Sequence, residues 1–217
     1  MFDSIHIERN LRIQSRKNLG KGEIKKFSLW LQDWPDQKLK NEGLKALSNI
    51  SNFSYNHSVL NKNTYLAHVL RVTKICMKLQ PQLASELLTL SMIHNIFEAT
   101  NLNEIELLNY FDIKTLERVK ILKIDRSKQC SNEYLTEYYS LIENSHISVS
   151  IVKIVDKIDN IFTLCLNPDE LKRKIYLKQI ENYVIPLTKI KLPQVLEYLK
   201  KLVDDAYKTK YIPIEGI

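Results

Sequence analysis

The sequence predicts an all-α fold, and three observations carry that expectation. Glycine and proline are scarce, four and six in 217 residues, whereas sandwiches and barrels need a turn residue roughly every ten positions. Apolar residues recur at i, i+3 and i+4 through several segments, the period of one helix face. A hydrophobic content of 44% at this length is enough to bury a sizeable core and argues against extended disorder.

Residues 1–50 read as a polar, lysine-rich N-terminal helical extension with one apolar patch, Phe27 to Trp34. Pro35 should stop that helix, and Asp36 should cap the next one, which runs toward Leu47. Trp30 and Trp34 share a helix face, which reads first as packing and second as an interface between copies of the chain. Residues 51–217 read as the main helical domain. From Thr64 to Leu79 the stripe Leu66, Val69, Leu70, Thr73, Cys76 and Met77 predicts an amphipathic helix with His68 beside it.

After Pro81, the segment Leu83 to Phe97 is apolar on nearly all sides, the pattern of a central buried helix, with His94 and Asn95 near its C-terminal end. Residues 101–122 hold two helical patterns, 125–132 a polar connection, and Tyr134, Tyr138, Leu141 and Ile142 begin another helix. Ile147 to Leu166 is long and apolar. The β-branched residues at its start would allow a strand, but its length and the i, i+4 pair Asp156 and Asn160 favour helix. Asn167-Pro168-Asp169-Glu170 is a turn into a helix start, and the tail holds amphipathic helices from Leu171 toward Ile185 and from Gln194 to Tyr207.

The formal net charge of +7 suits an anionic ligand, while the scatter of the lysines, with no block interleaved by aromatics, argues against nucleic acid. Cys76, Cys130 and Cys165 share no metal or redox spacing and read as the reduced thiols of a cytoplasmic protein. Met1 to His6 lacks the basic and apolar regions of a signal peptide, and no uncharged apolar stretch is long enough to span a membrane.

Buried charge is costly unless paired or coordinated, so polar residues inside the most apolar helices need a reason to be there. His94, Asn95 and Asp156 are of this kind. With His68, they would set two imidazoles and two oxygens around one divalent ion, a mixed donor set that suits manganese, iron or zinc. Such an ion polarises a P–O bond and makes a bound water acidic near neutrality. Glu98 lies four residues after His94, one turn along the same face if the helix continues, where its carboxylate could orient or deprotonate that water. Asn160, one turn after Asp156, would point into the same cavity and could bind substrate. His57 and His146, in polar connections, are not expected as ligands.

Three stretches then resemble a known superfamily. Tyr65-Leu66-Ala67-His68, Ile93-His94-Asn95-Ile96-Phe97-Glu98-Ala99-Thr100 and Val152 to Asn160 are similar in order and spacing to the metal helices of HD-domain phosphohydrolases. Within that superfamily they most resemble the hydrolase domain of RelA/SpoT homologues, which removes the 3′-pyrophosphate of guanosine tetraphosphate using manganese. The likeness spans about residues 55 to 170 and makes 51–217 an expected HD-type domain.

The resemblance implies His68, His94, Asn95 and Asp156 as metal ligands, Glu98 as the water-activating acid, and Lys62, Tyr65, Lys157 and Asn160 as substrate contacts. It also implies a small phosphorylated nucleotide as partner. The chain departs from the pattern at three places: Asn95 stands for the signature aspartate, Ala99 for a second carboxylate, and Asp159 for a histidine. An arginine expected before the first histidine has Lys62 as its nearest basic counterpart. These departures leave two alternatives beside hydrolysis of a (p)ppGpp-like nucleotide: a degenerate HD domain that binds a nucleotide or partner protein without turnover, and an HD-type 5′-nucleotidase.

Overall fold

The computed structural model describes residues 4–56 and 60–214, and every regular element among them is helical. His57 lies outside the described residues. Helix α1 (Ile5–Lys17) is capped by the Ser4 hydroxyl, and α2 (Glu23–Gln32) ends before Pro35. Asp36 caps α3 (Gln37–Asn52), its carboxylate accepting from the Leu39 amide at 3.0 Å. Gly20 makes the α1–α2 turn possible: φ is +67°, and a Cβ there would lie 2.3 Å from the Asn63 carbonyl oxygen.

Asn61 caps α4 (Lys62–Leu79) through its bond from the Thr64 amide at 3.0 Å, a contact of a kind that contributes about 1 kcal/mol. A single turn at Pro81–Leu83 leads into α5 (Ala84–Ile93), then α6 (Ile96–Ala99), α7 (Glu104–Leu108) and α8 (Ile113–Leu122). Across the connection 123–131 follow α9 (Asn132–Asn144) and α10 (Ile147–Thr163). His146 caps α10, its Nδ1 accepting from the Ser148 amide at 3.3 Å. The chain closes with α11 (Glu170–Gln179), a wide π turn over Ile180–Val184, α12 (Ile185–Lys191) and α13 (Leu196–Lys208).

Helices α4, α5 and α10 form the centre, and α10 also packs on α1, α8, α12 and α13. That explains why its β-branched run is helical. Ile151, Ile154, Val155 and Ile158 are all fully buried, so every face of α10 finds apolar partners, which a strand lacking neighbours to pair with would not. The first fifty residues contribute Phe27, Leu31, Leu47 and Ile50 to the same core. Trp30 and Trp34 meet edge to face at 5.2 Å and pack against that core. Cys76 and Cys165 are buried free thiols and Cys130 is exposed. No helix among the described residues is long and apolar enough to cross a membrane.

One helix expected from the sequence is broken. The apolar run 83–97 is not continuous: α5 stops at Ile93, His94 and Asn95 form a turn, and α6 restarts at Ile96. The His94 ring supplies the reason. Its Nδ1 bonds to the Ser91 carbonyl oxygen at 2.7 Å, the acceptor that the Asn95 amide would reach in an unbroken helix. Glu98 therefore belongs to a different helix from the one that leads to His94.

Candidate metal centre

Three helices bring the donors together. His68 comes from the middle of α4, His94 from the end of α5, and Asp156 from the middle of α10. His68 Nε2 lies 3.2 Å and His94 Nε2 3.6 Å from the same oxygen, Asp156 Oδ1. The two rings stand edge to face at 5.4 Å. One donor atom from each of the three residues fits within 4.8 Å of the others, so the group is able to hold a divalent metal ion.

Each imidazole is oriented from behind. His94 Nδ1 faces a carbonyl oxygen, which only accepts, so the neutral ring carries its proton there and its lone pair on Nε2. That Nε2 is buried and has no hydrogen-bond partner. A buried acceptor aimed at two other donors is the arrangement a metal ligand requires. His68 Nδ1 bonds to Asp159 Oδ2 at 2.8 Å, the carboxylate–imidazole pairing that fixes a ligand ring and raises its basicity.

Asp159 is itself fixed. Arg12 Nε of α1 reaches its Oδ1 at 2.7 Å, and Arg71 of α4 contacts both oxygens at 3.1 and 3.0 Å. Arg12 also pairs with Glu8 and stacks 4.1 Å over the Phe162 ring. The departure from the family pattern at this position is thus a fully buried carboxylate that positions a histidine. Burial opposes the charge on Asp159, but Arg71, Arg12 and the bond from His68 hold its carboxyl well below the usual range. Asp156 behaves likewise: burial opposes its charge, while Lys157 and the two facing imidazoles hold it well below. Burial opposes protonation of His68, but its bonds to Asp156 and Asp159 outweigh this and raise it.

The cavity in front of these donors is about 210 Å³. Arg16, Arg71, Arg126, Lys153 and Lys157 line it against Glu98, Asp156 and Asp159, with Tyr65, Tyr139 and Tyr176 as aromatic walls. Lys157 Nζ is 3.5 Å from Asp156 Oδ2 and 5.3 Å above Tyr176. Burial lowers the amine of Lys153, with Lys157 adding to that and Asp156 opposing. The excess of cations, with Lys153 buried and Arg16, Arg71 and Lys157 half-buried, suits a phosphorylated ligand.

The other residues singled out from the sequence divide. Asn95 and Tyr65 line the cavity. Asn160 lines it too, but its Nδ2 bonds to Asp156 Oδ1 at 2.7 Å and so orients a donor. Glu98 lines the cavity with its Oε2 3.3 Å from two guanidinium nitrogens of Arg126. Lys62 is not among the lining residues; it sits 6.0 Å over the Tyr55 ring. Ala99 is buried and offers no acid. His146 serves as a helix cap. Sequence reasoning missed Arg12, Arg16 and Arg71. For Arg71 there was a signal, since it lies one turn after His68 on α4; for α1 there was none.

No family model matches the chain, and no curated protein matches it. Among solved structures it is similar to a metazoan ortholog of SpoT, a protein that hydrolyses ppGpp and plays a role in starvation responses. The TM-score is 0.59 at 16% identity, covering 79% of this chain and 97% of that one. At that identity the likeness shows the fold alone, an all-α helical bundle shared with that structure.

Proposed function

On that fold and that donor set we propose a metal-dependent phosphohydrolase or pyrophosphohydrolase of a nucleotide related to guanosine tetraphosphate. The observation that carries the reading is the orphaned His94 Nε2, buried beside His68 and Asp156. His68, His94 and Asp156 would hold the ion, with the Asn95 amide oxygen as a fourth, uncharged donor; manganese suits this mixed set, and iron or zinc also fit it. When bound, the ion supplies Lewis acidity toward a phosphoryl oxygen and acidifies water.

The chain's own groups do the rest. Lys157, Lys153 and Arg16 offer positive charge to the phosphoryl oxygens. Tyr65, Tyr139 and Tyr176 wall the cavity and keep its dielectric low. Glu98 takes a proton from the attacking water as the P–O bond to the leaving oxygen breaks, which requires it to give up Arg126. Asn160 and Asp159 hold Asp156 and His68 in place throughout.

The test is elemental analysis of the purified chain, followed by phosphate release from a nucleotide panel with added manganese; the panel includes 5′-monophosphates, so nucleotidase activity is read in the same assay. Stoichiometric metal and turnover of a 3′-pyrophosphorylated guanosine nucleotide are the expected results. Absence of stoichiometric metal together with no turnover would sink the reading. A second reading, a degenerate domain that binds without turnover, is favoured by the Glu98–Arg126 pair and by Asn95. It predicts bound metal and bound nucleotide with no product.

A further inference from the structure

A larger cavity, about 410 Å³, lies between α1, α2 and α4. Arg71, Lys74 and Lys78 form one of its walls from successive turns of α4, with Lys21, Lys26 and Arg12 across from them. Only two acids face these six cations. Glu8 is taken by Arg12, and Glu23 by Lys26 at 3.0 Å. Among the described residues, Lys21, Lys74 and Lys78 have no carboxylate partner.

Lys74 shows that this is more than a solvated face. It is half-buried, with its ammonium 5.7 Å over Phe27 and 5.6 Å over Trp30. Burial lowers it from its ordinary value, and the like charges of Lys78 and Lys26 add to that while Glu23 opposes. Like charges gathered in a concave, partly desolvated place are unfavourable alone, and a multivalent anion relieves them. Leu11, Ile75 and Leu79 supply an apolar wall to the same cavity. A ligand with several phosphates and one flat apolar ring satisfies both walls.

Two arginines tie this groove to the metal donors. Arg71 lines both cavities, and Arg12, which lines the groove, is the second clamp on Asp159. We propose that the groove is a second ligand site, for a nucleoside polyphosphate, and that its occupant is an effector of the metal centre through Arg71 and Arg12. Phosphates in the groove compete with Asp159 for both guanidinium groups, and Asp159 is what orients His68. By linkage, the ion and the groove ligand then alter each other's affinity by the same factor. The binding stands independently of the proposed function; the effector role rests on the metal reading.

Trp30 and Trp34 are the chain's two tryptophans, and Trp30 stands beside Lys74, so intrinsic fluorescence reports on the groove. The full chain is titrated with GTP and with inorganic tripolyphosphate, in metal-free buffer at low salt and at about 200 mM salt. A saturable, salt-weakened signal is expected, tighter for GTP because of its ring. K74E/K78E, and the milder K74Q checked for folding by circular dichroism, should weaken it, the double variant by about tenfold or more. Lys157→Ala should leave it unchanged. A signal that ignores K74E/K78E, or that vanishes in Lys157→Ala, overturns the site in favour of the first cavity; equal response to both probes overturns the nucleoside assignment. Manganese affinity, after allowance for the manganese that GTP itself chelates, should differ severalfold with and without GTP in the wild type and not in K74E/K78E. Manganese binding that ignores bound GTP overturns the effector role, whereas no manganese binding at all overturns the metal reading and leaves the groove titration standing.

Discussion

The two walls of the first cavity are built differently. On the α4–α10 wall the two carboxylates are buried and tied down by others: Asp159 by Arg12, Arg71 and His68, and Asp156 by Asn160 and Lys157. On the α5–α6 wall the corresponding groups are an uncharged Asn95, an alanine at 99, and a Glu98 whose partner Arg126 is 57% exposed. The first wall has the rigidity that holds a ligand; the second has the looser, screened pairing of a surface loop. A site can therefore keep its capacity to bind while its capacity to turn over depends on one carboxylate.

Four substitutions break or sharpen that contrast. Asp159→Ala strands two buried arginine contacts and a histidine, and should cost about 3–5 kcal/mol of stability by urea denaturation; a loss under about 1 kcal/mol would mean the tied wall is tied in appearance only. Glu98→Gln should lower phosphate release by about 100-fold or more with metal content unchanged. If release is unaffected, the second wall carries no chemistry. Asn95→Asp should tighten manganese by about tenfold or more in calorimetry, because a unit charge a few ångströms from the ion is worth several kcal/mol even at an effective dielectric of about 20. Turnover that appears only in this variant favours the degenerate reading. Arg126→Ala should change stability by less than about 1 kcal/mol, since the Arg126 side of its pair with Glu98 is exposed to solvent; a larger loss would make the two walls equivalent.

Local chemistry explains which parts of this were legible in the sequence. Pro35 and Asp36 act within a few residues of themselves, so the stop and start they set could be read directly. His94 and Asp156 stood out because polar groups inside apolar helices need partners, and His68 stood out through the spacing of the three stretches. The break at His94 was not, because it depends on a ring nitrogen taking a backbone carbonyl within an unbroken apolar run. Asp159 looked like damage in the sequence, since the groups that satisfy it sit on α1 and α4, far from it in the chain. Arg12 and Arg16 belong to a stretch of the polar entry segment with no apolar patch to say what a helix would face.

The Arg12–Asp159 bond joins residues 147 positions apart, and that separation has a kinetic meaning. Contacts between distant residues close large loops and form late in folding. The His68 ring is held from behind by Asp159, so it acquires its final support only after the first helix has docked on α10. Metal affinity would then rise last, after most helical signal has appeared, and a refolding experiment followed by manganese binding would report the docking of the first helix on α10 rather than the collapse of the core.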